Sequence, residues 1–92
     1  MNTFVFVKSA KQKFEQTPKR TQQRMIDKLQ ALKTHPNIFT ILKKLQDFEP
    51  ATHRLRIGSH RLILKLHSQQ KDSLVFWILD VGDRKTIYKW LF

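Results

Sequence analysis

The chain contains no cysteine. That rules out disulfides and thiolate zinc sites and fits a reducing cytoplasm. Acidic side chains are also few: seven Asp plus Glu against 18 Lys plus Arg, a net charge of +11. So few carboxylates offer no acid–base pair. The four histidines, His35, His53, His60 and His67, have no chelating spacing, and no Ser, His and Asp fall in a triad order. Neither a metal nor another cofactor is therefore expected. Long apolar runs are absent as well. Phe4–Val7 is too short for a signal-peptide core and no stretch approaches a membrane span, so the expectation is a cytoplasmic protein with no membrane partner.

What is present is a folded composition. Of the 92 residues, 40% are hydrophobic, with only two Gly and three Pro. One domain over residues 1–92 is expected. The excess of positive charge points first to nucleic acid as a partner, then to an acidic protein or an anionic membrane.

Phe4–Val7 is aromatic and β-branched and reads as a short buried strand. Ser9 can cap a helix from Ala10 to Gln16. Thr17 can cap a second, starting at Pro18 and running to Thr34, because proline suits a first helical position. Met25, Ile26, Leu29 and Leu32 form its apolar stripe. Its other face carries Lys19, Arg20, Arg24, Lys28 and Lys33, either a solvated surface or a groove for RNA. Residues 38–50 read mostly as a loop laid on the core. His53–Ile57 and His60–Leu66 alternate as strands joined at Gly58-Ser59, which suits a type II′ turn. Ser73–Val81 is apolar on both faces, as in a central strand covered on both sides. The expected fold class is α+β: an N-terminal strand and a basic two-helix hairpin packed on a small, mostly antiparallel sheet of about four strands.

The hairpin raises a chemical question. A two-residue turn pairs Arg56 with Arg61 and Arg54 with Ile63. Leu55, Ile57, His60, Leu62, Leu64 and Leu66 then share the core face, and Arg54, Arg56 and Arg61 share the other. Like charges directly opposite cost up to about 1 kcal/mol. Guanidinium binds phosphate bidentately and keeps its charge at any relevant pH. If the central strand lies beside the hairpin, Arg84 and Tyr88 reach the same surface, with Lys85 nearby. His60 reads as a partly buried structural histidine, whereas His53, at the strand edge, reads as freer. Arginines with a phenol fit RNA cleavage by the RNA's own 2′-hydroxyl, in which the protein orients the attack, moves a proton and stabilises charge on phosphorus.

The stretches "HRLRIGSHRLIL" and "WILDVGDRKTIY", with the order of strand, helix hairpin and strands, resemble the RelE/ParE superfamily of type II toxin–antitoxin toxins. The "VG-x-R-x-x-x-Y" ending is closer to the RelE-like mRNA interferase branch, which cuts mRNA in the ribosomal A site. ParE-like relatives poison DNA gyrase. The resemblance implies that Arg54 and Arg56 are the two basic positions before the turn. It implies that Arg61 and Arg84 stabilise the scissile phosphate and that Tyr88 orients the cut nucleotide. Lysine is common in that branch where this chain has Arg54 and Arg56, and arginine cannot surrender a proton. That leaves Tyr88 and His53 as candidate general bases. The implied partners are a cognate antitoxin, the ribosome and mRNA, with Lys19, Arg20, Arg24, Lys28 and Lys85 as RNA contacts. Trp90 or Phe92 would be anchors for the antitoxin. The alternatives are a gyrase-directed toxin and an RNA-binding module without activity.

Overall fold

Strand β1 (Asn2–Phe6) turns Phe4 and Phe6 inward, and its backbone runs straight into helix α1 (Lys8–Gln16). The computed structural model describes residues 1–83 and 85–87. Helix α1 begins earlier than Ser9 would set it: Val7 is its N-cap and makes no side-chain cap bond. The chain is held there by tertiary pairing instead, since Val7 N donates to the Ile78 carbonyl at 3.1 Å. Thr17 also serves the opposite end from the one expected. Its Oγ1 and its backbone N both donate to the Phe14 carbonyl, ending α1, and Pro18 takes the N-cap of helix α2 (Lys19–Lys33). Met25, Leu29 and Leu32 are buried, but Ile26 is exposed. Each residue advances about 100° around a helix, so Ile26 falls past the edge of the stripe that Met25 begins.

After α2 a 3₁₀ turn (Ile38–Thr40) leads into β2 (Lys43–Lys44), then β3 (His53–Ile57), β4 (His60–Gln70) and β5 (Ser73–Asp83). The five strands lie in the order β1-β5-β4-β3-β2. β1 runs parallel to β5 and the other three junctions are antiparallel. The fold is thus the expected α+β arrangement, with one more strand than the four anticipated. The addition is β2, too short to show alternation; it forms because β3 offers an unpaired edge. β4 and β5 also outrun their expected ends at Leu66 and Val81. They pair as far as Gln70 and Ser73, with register shifts at Ile63/Leu64 and Leu66/Ser68 that break the alternation.

The helices cover one sheet face. Beneath them lie Leu55, Ile57, Leu62, Leu64, Phe76, Ile78 and Val81, packed with Ala10, Met25, Leu29 and Leu32. Asn2, 6% exposed, locks the layers together: Nδ2 donates to the carbonyls of Leu32 (2.7 Å) and His35 (3.2 Å), where α2 ends and the chain leaves it. The segment from 45 to 51 wraps round the β2 edge to the opposite face. There Ala51, Ile63 and Ile87 form a second buried cluster with Leu45, Phe48 and Leu79. Only part of that face is therefore left to the arginines.

Candidate functional site

The β3–β4 hairpin turns at Gly58, whose φ of +61° is a left-handed value that glycine adopts without penalty. The register is the one the sequence implies. Arg56 faces Arg61, Arg54 faces Ile63, and Leu55 faces Leu62. Arg54, Arg56 and Arg61 accordingly stand together on the face away from the helices. They line an open cleft of about 230 Å³ with Ile41 and Lys43. Lys43 arrives through β2, where it pairs directly with Arg54. Two like-charged pairs, Lys43–Arg54 and Arg56–Arg61, thus run across three adjacent strands. Sequence reasoning missed Lys43 and Ile41, because only the pairing of β2 with β3 brings them to the arginines.

Hydrogen bonds orient two of the guanidinium groups. Arg56 Nε donates to the Gly58 carbonyl at 3.2 Å. Arg61 Nη1 donates to the same carbonyl at 3.4 Å and to the His60 carbonyl at 3.2 Å. A phosphate in this cleft meets positive charge on three strands. That suits a group whose negative charge grows as a fifth bond to phosphorus forms.

His53 is corrected. It is 7% exposed and faces the helices, opposite the cleft, because it shares the alternation of Leu55 and Ile57. Its ring lies 5.4 Å from that of Phe39 and 5.9 Å from that of Phe76, and Nδ1 is 2.9 Å from Thr52 Oγ1. The structure does not bring it to the arginines. Burial holds its imidazole below the ordinary value, and the neighbouring Lys44 ammonium adds to the effect. The folded chain thus resists a proton that the unfolded chain accepts below about pH 6.5. Stability is full above that pH and falls as the pH drops, until the lowered folded value has been passed. Urea titrations of wild type and His53→Phe between pH 7.5 and 5 should show this loss in wild type and a flatter profile in the variant. Equal slopes would discount the histidine.

His60, half-buried opposite Asp83, is the structural residue expected. Past β5, Asp83 Oδ1 accepts the Thr86 backbone N–H at 2.9 Å, and this bond is the main cause of its lowered pKa. A Cβ on Gly82 would collide with the Thr86 side chain, so glycine permits the turn that returns Ile87 to the second cluster. Lys85 is exposed on that turn. Arg84, Tyr88, Trp90 and Phe92 lie outside the described residues. Lys19 and Arg20 are exposed and Lys28 is half-buried, all in the helical layer behind the sheet, while Arg24 leans on Gly58. A larger hollow of about 500 Å³ lies at the far end of the sheet, between residues 33–39 and 69–74, and holds no arginine. Among the described residues no His, Cys, Asp or Glu group could hold a metal ion.

Two helices on a mixed five-stranded sheet make the fold of the RelE toxins. Several solved structures share it, three of them as follows. One is the toxin–antitoxin complex RelBE2 from Mycobacterium tuberculosis, with a TM-score of 0.69 and 23% identity over 89% of this chain and 96% of that one. Another is the archaeal RelE–RelB complex from Pyrococcus horikoshii, at 0.66 and 22%, covering 90% and 94%. The third is the E. coli toxin RelE in the free state, an arginine double mutant, at 0.64 and 18%, covering 96% and 90%. A search of curated proteins finds no match. The family model described as the ParE toxin of the type II toxin–antitoxin system, parDE, matches residues 4–88. The chain therefore belongs to this toxin family, within the RelE/ParE superfamily.

Proposed function

We propose that this toxin is a ribosome-dependent mRNA endonuclease, acting in the cytoplasm as one toxin domain over residues 1–92. The observation that carries the reading is the convergence of Arg54, Arg56, Arg61 and Lys43 on one cleft. In the reaction, the 2′-oxygen bonds to the adjacent phosphorus as the bond from phosphorus to the 5′-oxygen breaks. The products are a cyclic phosphate and a 5′-hydroxyl. Arg56 and Arg61 stabilise the charge on the phosphoryl oxygens. By the resemblance, Arg84 shares that role, and Tyr88 orients the nucleotide and takes the 2′-proton.

The departing 5′-oxygen needs a proton, which the arginines cannot give. Lys43, the amine in the cleft, can. Lys43→Arg keeps the charge and removes the ammonium that can surrender a proton. It should lower kcat by about a hundredfold, a typical contribution of one general acid, with KM within about twofold of wild type. A single-turnover rate equal to wild type would take Lys43 out of the mechanism.

We also infer a cognate antitoxin, as in the two toxin–antitoxin complexes that share the fold. A segment with acidic and apolar side chains fits the cationic cleft and the exposed Ile41 at its rim. Toxicity on expression alone, abolished by coexpression of the partner, is the expected behaviour. No helix among the described residues is long and apolar enough to cross a membrane.

A second reading, inhibition of DNA gyrase, draws on the match to a ParE toxin model. Primer extension on a defined mRNA with pure wild-type protein, with and without programmed ribosomes, separates the two. Cuts that appear only with ribosomes support the nuclease. Intact mRNA together with loss of supercoiling by gyrase supports the alternative.

A further inference from the structure

Arg24 stands apart from the other cations of α2. Met25, Leu29 and Leu32 mark the buried stripe, and Arg24 lies at its border, on the side of the β3–β4 turn. Its guanidinium rests against Gly58. A Cβ on that glycine would stand 2.9 Å from Nη2, 3.1 Å from Nη1 and 3.2 Å from Cζ. Arg56 and Arg61 approach the same residue from the other side, through its carbonyl oxygen. Three guanidinium groups thus surround one glycine at the tip of the hairpin. Like charges held this close repel, and Arg24 presents its charge to solvent. At the hairpin tip the basic helical layer and the cleft meet. Along α2, Arg20 and Lys28 lie one turn to either side of Arg24 and continue the charge away from the tip.

We propose that Arg24 is a backbone-phosphate site for single-stranded RNA, continuous with the cleft across the hairpin tip. The strand whose reacting phosphate sits between Arg56 and Arg61 passes over Gly58, and a neighbouring phosphate meets the Arg24 guanidinium on the helix side. Gly58 then has two functions. Its φ makes the turn, and its missing side chain leaves the space in which Arg24 lies and over which the strand crosses. Arg24 is a positioning residue: it touches the substrate one or more nucleotides from the reacting atoms and transfers no proton. The inference rests on the proposed RNA substrate, but not on cleavage.

The test therefore uses binding. A 2′-O-methyl RNA oligonucleotide has no attacking hydroxyl, so its affinity can be measured by fluorescence anisotropy from 0.05 to 0.3 M salt without turnover. Each phosphate contact to a single strand contributes about 0.7 to the slope of log affinity against log salt. Arg24→Gln should lower that slope by about 0.7 and weaken binding about fivefold at 0.1 M salt. Lys71→Gln removes the same charge at the opposite end of β4 and should change affinity less than twofold. If Arg24→Gln keeps the wild-type slope, if Lys71→Gln lowers the slope as much as Arg24→Gln does, or if wild type shows no salt-sensitive binding, the site is refuted. If the Arg24-dependent slope appears while ribosomal mRNA stays intact, the phosphate site stands and the nuclease reading fails.

Discussion

Arg61→Ala is expected to slow ribosome-dependent mRNA cleavage by about a hundred- to a thousandfold, the typical cost of removing one preorganised donor aimed at developing charge. Arg61 is suited to that role because the carbonyls of Gly58 and His60 hold its Nη1 at the end of a paired strand. The guanidinium therefore need not reorganise as charge builds. Arg61 is half-buried and donates to two carbonyls, so alanine should cost some stability, but less than the about 3–5 kcal/mol of a large core truncation. Arg61→Lys separates charge from geometry. It keeps the charge but loses the planar fork, so its rate should fall between wild type and alanine. Single-turnover cleavage on programmed ribosomes, with a urea melt beside it, makes the measurement. Full activity in Arg61→Ala would show that the cleft does not bind the scissile phosphate.

Phe76→Ala should have the largest effect on stability, about 3–5 kcal/mol. Phe76 is fully buried on β5, between β1 and β4. Its ring stacks on that of Phe4 at 5.6 Å and lies within 6.3 Å of Phe39 and 5.9 Å of His53. Truncation leaves a cavity that β1, β3 and the 3₁₀ turn would all have to close at once. Each kcal/mol shifts the melting temperature of a domain this size by roughly 4–8 °C, so thermal melting should fall by on the order of 20 °C. Phe76→Leu fills most of the space and should lose much less. Phe76 lies on the helix face, so well below its melting temperature the alanine variant should retain its arginine cleft and its RNA affinity. A loss below 1 kcal/mol would mean that the neighbours collapse freely into the gap.

The hairpin was the most legible part of the molecule. Gly58-Ser59 set the turn, and strict alternation then fixed which residues face Arg56 and Arg54. The same alternation, carried one step further back, would have put His53 with Leu55 in the core. Reading a polar side chain at a strand's first residue as exposed was the error. Ile63 also carried a signal: an isoleucine on the arginine face needs a cover, and the chain from 45 to 51 supplies it. Lys43 was not legible, since a two-residue strand has no periodicity. Arg24 was legible as a cation of α2, but its approach to Gly58 depends on how α2 packs over the hairpin. Arg84 and Tyr88 were read from their place after the central strand and from the motif.

The parallel junction of β1 with β5 has a consequence for the timing of synthesis. Among the described strands β1 has one neighbour, and that neighbour is the last strand made. Asn2 and Leu74, which lie side by side, are separated by nearly the whole chain. Until β5 is available, β1 has no ladder, Asn2 has no fixed position beneath the end of α2, and the hairpin carrying the arginines has only the two-residue β2 beside it. The sheet that carries the arginine cleft is therefore complete only once β5 has been made. If the cleft is the active site, any partner that binds the folded toxin has nothing to recognise before that strand, and the interval from β1 to β5 separates synthesis of the basic helices from assembly of the site they flank.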